Sequence, residues 1–280
     1  MGAAVIGHVE WVDFVRVERL PVAGEIIHAS ASWALPAGGG SVSAVQLGKL
    51  AGGCIFFTAL GDDELGRRAH EELGRMGVRV EAVFRSEPTR RAITHVDAAG
   101  ERTITVLGNR LTPLATDPLP WDELAGCDAV YVTAGDPATL HAARAATAVV
   151  ATSRIIMPTL REAGVRLDAV VGSAVDPSET YEHGDIEPIP GLAVRTSGSE
   201  GGMFSVGGGP FQRYEAAPVP GPIADAYGCG DSFAAGLAYA LGEGNAPGEA
   251  IAFAARCGAA VLTGNGPYER QLSGERAKGG

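Results

Sequence analysis

The sequence predicts an α/β fold built on a mostly parallel sheet, and three observations carry that expectation. Apolar, β-rich runs recur along the chain. Stretches with helical spacing lie between most of them. Two segments break the rhythm by alternating strictly, residue by residue. Strands alternating with helices are the pattern of βαβ units, whose parallel strands are covered on both faces. Strict alternation marks a strand with one wet face instead.

In chain order, the apolar runs are Ala3–Ile6, Cys54–Leu60, Ala129–Thr133, Arg154–Met157, Ala169–Gly172 and Leu192–Arg195. A helix is expected after Ser41. A second spans Asp62 to Gly77, where Leu65, Ala69, Leu73 and Met76 recur at helical intervals. There Asp62 or Asp63 can cap the start, and Gly77 stops the helix. Leu140–Val150 is Ala-rich and reads as helix-compatible. Ile27–Trp33 puts Ile27, Ala29, Ala31 and Trp33 on one face and His28, Ser30 and Ser32 on the other. Ala92–Leu107 reads as two strands turning at residues 98–101. These alternating segments predict a small β-lid from about residues 14–35 and 88–110, set into a single domain spanning 1–268. An edge extension of the main sheet is the other reading. The polar tail 269–280 is expected to fray.

The 280 residues carry 22 basic and 33 acidic side chains, a formal net charge of −11. Only Lys49 and Lys278 are lysines, which leaves no basic groove for a nucleic acid. The acidic balance does not exclude a nucleotide, because backbone amides and Mg²⁺ can carry phosphate charge. The four cysteines, Cys54, Cys127, Cys229 and Cys257, form no C-x-x-C pair, against both a zinc site and a disulfide framework. No charged leader and no run of 18 apolar residues appears, so a cytoplasmic protein with no membrane partner is expected.

The sharpest chemical signal is Asp225-Ala226-Tyr227-Gly228-Cys229-Gly230-Asp231-Ser232-Phe233. Two glycines flanking a small residue permit a tight turn. Phe233, Leu237 and Leu241 then repeat every four residues, so a helix is expected to start near Cys229. Its unpaired first-turn N–H groups would form an anion site, with Asp231 beside it. A carboxylate there can take a proton from an attacking hydroxyl while the amides stabilise a transferring phosphoryl group. Taken alone, the segment favours a Gly-rich turn with an acidic N-terminal cap. The chain lacks G-x-x-x-x-G-K-[ST], which excludes a P-loop kinase, and Gly38-Gly39-Gly40 lacks the Rossmann spacing.

That segment resembles the D-T-x-G-A-G-D signature of the ribokinase, or PfkB-type, carbohydrate kinases. Further motifs follow in the family's order: Gly7 with Asp13, Gly38-Gly39 running into Ser43, and Gly61-Asp62-Asp63 with Leu65-Gly66 and Met76-Gly77-Val78. Thr89-Arg90 and Asp97 with Gly100–Thr103 resemble the lid hairpin, and Thr196–Gly201 the T-x-G-x-x-G loop. The resemblance implies a three-layer α/β/α sandwich with a small β-sheet lid, and an ATP-dependent kinase of a small sugar or polyol. It implies Asp231 as base, with Gly228, Cys229 and Gly230 as anion hole. Asp13, Gly38, Gly39 and Ser43 would hold the substrate, and Thr196, Gly198 and Gly201 would border the nucleotide. Asp225 would hold a monovalent cation such as K⁺, and Asp176 would reach Mg²⁺ through water. Ser43 stands where the family has Asn. Ser173 and Asp176 stand where the N-x-x-E motif is expected, and Cys229 replaces Ala.

Alternatives remain at several positions. Asp13 also reads as a strand-end turn residue, and Asp225 as a cap. Trp11 or Trp33 would stack on a base in a nucleoside kinase, the runner-up activity, though core packing suits either. An unphosphorylated acceptor is the expectation; a phosphorylated one needs dedicated contacts such as Arg90, Arg91 or Arg110. A non-catalytic binding protein on the same fold is the rival of another class. A homodimer paired through the lid is expected from its apolar face.

Overall fold

The structure, a computed structural model, describes residues 1–154 and 157–274. Its layers follow from the alternation of one short strand, β1 (Ala3–Ile6). Ala3 and Val5 pack with α1 (Gly39–Ala51), α2 (Glu64–Arg75), α5 (Cys229–Gly242) and α6 (Pro247–Val261). Ala4 and Ile6 pack on the other side, with α3 (Pro137–Ala143) and α4 (Met157–Ala163). Successive side chains of a strand point to opposite faces, so a strand apolar at every position needs a helical layer on each side. Each large side chain buried this way, such as Phe56, Phe57 or Leu47, contributes about 1.5–3 kcal/mol.

The nine-stranded sheet runs β13 (Gln212–Tyr214), β12 (Gly202–Val206), β11 (Leu192–Thr196), β10 (Ala169–Ser173), β9 (Ala148–Thr152), β8 (Ala129–Val132), β1, β4 (Cys54–Gly61) and β5 (Val78–Arg85). Every pairing from β11 to β5 is parallel. The β11–β12 and β12–β13 pairings are antiparallel.

A separate four-stranded sheet has the order β3 (Ala31–Ala37), β2 (Glu10–Arg16), β6 (Arg91–Val96) and β7 (Arg102–Leu107). Its inner face carries Val12, Phe14, Trp33, Leu35, Ala92 and Val96 against Val42 and Tyr227. Phe14 stacks on Trp33 with ring centroids 5.2 Å apart. Three bonds seam this sheet to the loop before α5: Ala226 N–H to the Gly100 carbonyl at 3.0 Å, Arg102 to the Ala226 carbonyl at 3.0 Å, and Arg16 to the Ala224 carbonyl at 3.3 Å.

Four expectations change. Leu140–Val150 is not one helix: α3 ends at Ala143 and β9 begins at Ala148. The β-branched run there is buried between β8 and β10, which decides an apolar stretch that local spacing leaves ambiguous. The strand expected over Arg154–Met157 falls on residues 155 and 156, outside the described residues; Arg154 follows β9, and Met157 opens α4. The Ile27–Trp33 strand starts later, at Ala31, and gains the whole of β2 as a partner. The tail is docked as far as it is described. Gln271, only 5% exposed, donates to the Val42 carbonyl at 3.0 Å, and Gln46 donates to the Leu272 carbonyl at 2.9 Å. Residues 275–280 lie outside the described residues. No helix among the described residues is long and apolar enough to cross a membrane.

Candidate active site

The C-terminal ends of parallel strands are where an α/β sheet gathers its loops. Here β1 runs into His8, β9 into Arg154, β10 into Asp176 and Glu179, and β11 into the turn at 197–201. The N-terminus of α5 joins them. Gly228, its N-cap, sits at φ 82°, and a Cβ there would come within 2.7 Å of the Pro267 Cβ, so glycine alone fits. No side chain caps this helix, which leaves the first-turn N–H groups, at the positive end of the dipole, available to an anion.

Asp231 lies in that first turn, half-buried. A Cβ added at Gly39 would stand 3.0 Å from Asp231 Oδ1 and 3.6 Å from His8 Cε1. Glycine at 39 therefore leaves the space a hydroxyl needs to reach the carboxylate. Burial pushes the Asp231 carboxyl above the usual range, against the pull of Arg154, Arg102 and Arg110. Ser43 is fully buried and donates to the Asp231 backbone carbonyl at 3.1 Å. That bond ties α1 to the first turn of α5. Gly38 N–H donates to the Tyr227 hydroxyl at 3.2 Å, a bond that ties the β3–α1 turn to the loop before α5.

Asp13 is not brought to this cluster. It pairs with Arg91 at 2.9 Å, half-exposed, on the face of β2 opposite Val12 and Phe14. The inward carboxylate on this strand is Glu10, 7% exposed, with Arg90 Nε at 3.1 Å and His8 Nε2 at 3.7 Å. Burial raises the Glu10 carboxyl, and Arg90 opposes it. His8 is 6% exposed, and burial followed by Arg110, Arg90 and Arg154 holds its imidazole well below the usual range, hence neutral at pH 7. Its Nδ1 has no hydrogen-bond partner among the described residues.

Asp176 spends its Oδ1 on the Ser178 N–H and hydroxyl, at 2.9 and 2.7 Å. Glu179, three residues on, is the carboxylate nearer the centre. Burial raises it, Arg154 pairs with it at 3.0 Å, and it senses the charge of Asp231. Asp225 is fully buried, with Oδ1 accepting from Tyr227 N–H at 2.8 Å and Oδ2 from Gly266 N–H at 2.9 Å. Thr196 ends β11, and Gly198 and Gly201 shape the turn closed by Ser197 N–H on the Gly201 carbonyl at 2.8 Å. Both tryptophans are spent on packing: Trp33 on Phe14, and Trp11, 3% exposed, under the Arg68 guanidinium at 4.4 Å. The feature that favoured a nucleoside acceptor is thereby removed. Cys229 is half-buried, and burial raises its thiol, so it is an inert small residue rather than a nucleophile.

A hollow of about 610 Å³ opens at the opposite, N-terminal edge of the sheet, beside Gly2, Cys54 and the Arg79–Glu123 pair. It holds neither a helix N-terminus nor a buried titratable cluster. The cluster of His8, Glu10, Arg154, Glu179 and Asp231 lies at the other edge.

Sequence reasoning missed Glu10, Arg154 and Glu179, and it passed over His8 as an isolated histidine. Only the last carboxylate left a local trace, since Asp176 and Glu179 have the same three-residue spacing as the motif sought at Ser173 and Asp176.

The profile of the pfkB family of carbohydrate kinases matches residues 2–163 and 136–272. A ribokinase of Arabidopsis thaliana is 25% identical over 286 residues, covering 90% of this chain and 73% of the relative. An ATP-dependent ribose-1-phosphate kinase of Halopiger xanaduensis is 30% identical over 271 residues, covering 90% and 89%. Among solved structures, the Arabidopsis thaliana ribokinase complexed with ribose and ATP is similar, with a TM-score of 0.76 at 22% identity, covering 99% of this chain and 97% of that one. The Thermotoga maritima ribokinase has a TM-score of 0.79 at 21% identity, covering 99% and 98%.

Proposed function

The chain belongs to the pfkB family of carbohydrate kinases, and from that premise we propose that it transfers the γ-phosphoryl group of ATP to a hydroxyl of a small sugar or polyol, with Asp231 as the base. The observation that carries this is the placement of the Asp231 carboxylate. It lies in the first turn of an uncapped helix, across from a glycine that leaves room for a hydroxyl.

The acceptor hydroxyl would lie between Gly39 and Asp231. As its oxygen forms the new bond to the γ-phosphorus, the β–γ bridging bond breaks, ADP leaves, and the hydroxyl proton passes to Asp231. The N–H groups at Gly228, Cys229 and Gly230 would hold the charge on the transferring group. Thr196, Gly198 and Gly201 would border the nucleotide, with the adenine between their turn and α6.

Among the described residues no group of three or more acidic, His or Cys side chains could hold a metal unaided. Mg²⁺, which neutralises phosphate charge, would therefore arrive on the nucleotide, with Glu179 or Asp176 reaching its waters. A monovalent cation would sit beside Asp225, a buried carboxylate with no ion-pair partner among the described residues, whose oxygens accept from the Tyr227 and Gly266 N–H groups.

The test is ADP release with Mg²⁺-ATP across pentoses, hexoses, polyols and their phosphates, ribose and ribose 1-phosphate included. Asp231→Asn is expected to lower turnover about 10²–10⁴-fold with ATP still bound. Undiminished turnover in that variant would sink the base assignment.

A further inference from the structure

The acceptor end of the cleft carries more positive charge than a neutral sugar needs. Arg90 ends the turn into β6, with its guanidinium on Glu10 at 3.1 Å and only 16% of the side chain exposed. The segment after β7 returns beside it: Arg91 pairs with Leu107 across the β6–β7 ladder, and a Cβ at Gly108 would lie 4.0 Å from the Arg90 Cα. Arg110 follows two residues later. It is half-buried, its Nε has no hydrogen-bond partner, and it forms no ion pair among the described residues. His8, 94% buried by its 6% exposure, adds an unpartnered Nδ1 at the same place.

A buried donor without a partner costs about 1–3 kcal/mol, and more when it is charged. Glu10 cannot account for both guanidiniums, because Arg90 already occupies it. Two half-buried arginines whose Nε groups lack hydrogen-bond partners, beside a neutral imidazole with a free Nδ1, match the oxygens of a phosphate monoester.

We propose that the acceptor already carries a phosphate group, held by Arg90 and Arg110 beside His8 and Glu10. This rests on the kinase reading above and replaces the expectation of an unphosphorylated acceptor.

The transferring phosphoryl group is the other anion that could claim these arginines, and their placement separates the two. Arg154, Arg102 and Arg110 are the guanidiniums that act on Asp231, and Arg154 is the strongest; Arg90 is not among them. A Cβ at Gly39 would touch both Asp231 and His8, a Cβ at Gly38 would touch His8 and Glu10, and Arg90 lies on Glu10, so the residues run in that order away from Asp231. Arg90 is therefore further from Asp231 than His8 is, on the far side of Glu10. A sugar phosphate has these same two ends, one reacting hydroxyl and one dianion.

The experiment compares kcat/KM for ribose, ribose 1-phosphate, ribose 5-phosphate, fructose 6-phosphate and gluconate, in the wild type and in Arg110→Gln and Arg110→Lys. A sugar phosphate is expected to exceed its unphosphorylated counterpart by about 100-fold or more. Arg110→Gln should cut that ratio by roughly 10- to 100-fold, with partial recovery in Arg110→Lys. Sulfate should inhibit competitively against the acceptor and not against ATP. Equal use of ribose and its phosphates overturns the proposal, as does a preference for gluconate or an equal loss on every acceptor in Arg110→Gln.

Calorimetry without ATP separates the two readings. Sugar-phosphate binding that depends on Arg110, without turnover on any acceptor, keeps the anion site and discards the kinase assignment. Turnover with no such binding does the reverse.

Discussion

Asp231 ionises against its surroundings, and that has a sign. Burial raises its native pKa, so the native carboxyl takes up a proton at a pH where the unfolded chain has already released its own. Stability then falls as pH rises through the native pKa, and at neutral pH the ionised group is a net burden. Asp231→Asn is expected to raise the Tm at pH 7 while lowering turnover, and the gain should shrink as pH falls toward the unfolded value near 4. A lower Tm in the variant would show that the carboxylate is held by contacts that favour its charge. For the same reason, kcat/KM should lose its acid side at a pH above that of an ordinary carboxylate, since protonation removes the base. The turn at Gly228 and the helix start that carries Asp231 were legible because one short segment contains both. Glu10, Arg154 and Glu179 were not, because three different strand ends bring them together. Asp13 was misread through a shift of one residue: on β2 the inward positions are Glu10, Val12 and Phe14, and a slip of one reverses the face.

At the scale of elements, two helix starts differ in what fixes them. The α2 start depends on a side chain. Asp63 accepts from Gly66 N–H at 2.8 Å, and also from the Thr89 N–H at 2.8 Å and the Thr89 hydroxyl at 2.7 Å, so one carboxylate caps the helix and anchors the approach to β6. Burial alone would raise this carboxyl, but the bonds from Gly66 and Thr89 together hold it below the usual range. Asp63→Ala is expected to cost about 1–2 kcal/mol at pH 7. A depressed native pKa contributes stability above the unfolded value and loses it as pH falls through the native one, so the difference from wild type should narrow in acid. Denaturant midpoints at two pH values check both statements. The α5 start depends on backbone: Gly228→Ala forces a side chain into the left-handed region, about 1–2 kcal/mol before its contact with Pro267 is counted. A Tm lower by roughly 3–6 °C is expected. Long amphipathic α2 and the strands buried on both faces were readable from spacing. β9 was not, because its Ala- and Val-rich run suits either state until β8 and β10 close on it. β13 is too short, at 3 residues, to leave a pattern, and β12 (Gly202–Val206) is only partly buried and lacks the continuous apolar run of the central strands.

Across the whole molecule the two sheets differ in how they are held. The nine-stranded sheet is buried on both faces, and β1, β8 and most of β10 expose nothing. The four-stranded sheet has one packed face, and its outer strand β7 is exposed at all six positions. Local opening free energy follows buried contact, so the small sheet should open well below the global transition. Besides the packing of its inner face on Val42 and Tyr227 and the Tyr268 hydroxyl on the Pro36 carbonyl, it is tied to the body by the Arg16, Gly100 and Arg102 bonds to residues 224–226, immediately before the turn into α5. A phosphate on Arg90 and Arg110 and a nucleotide at α5 would sit on either side of that seam. Each should therefore steady the other's binding surface. Amide exchange is expected to be at least about tenfold faster in 97–107 than in 129–132 or 169–173 for the free protein. Acceptor together with a non-hydrolysable ATP analogue should slow 97–107 more than either ligand alone, while 129–132 stays unchanged. Uniform exchange across both sheets would mean that the small sheet is no separate cooperative unit. Protection by each ligand independent of the other would mean that the seam carries no coupling between the two ends of the cleft.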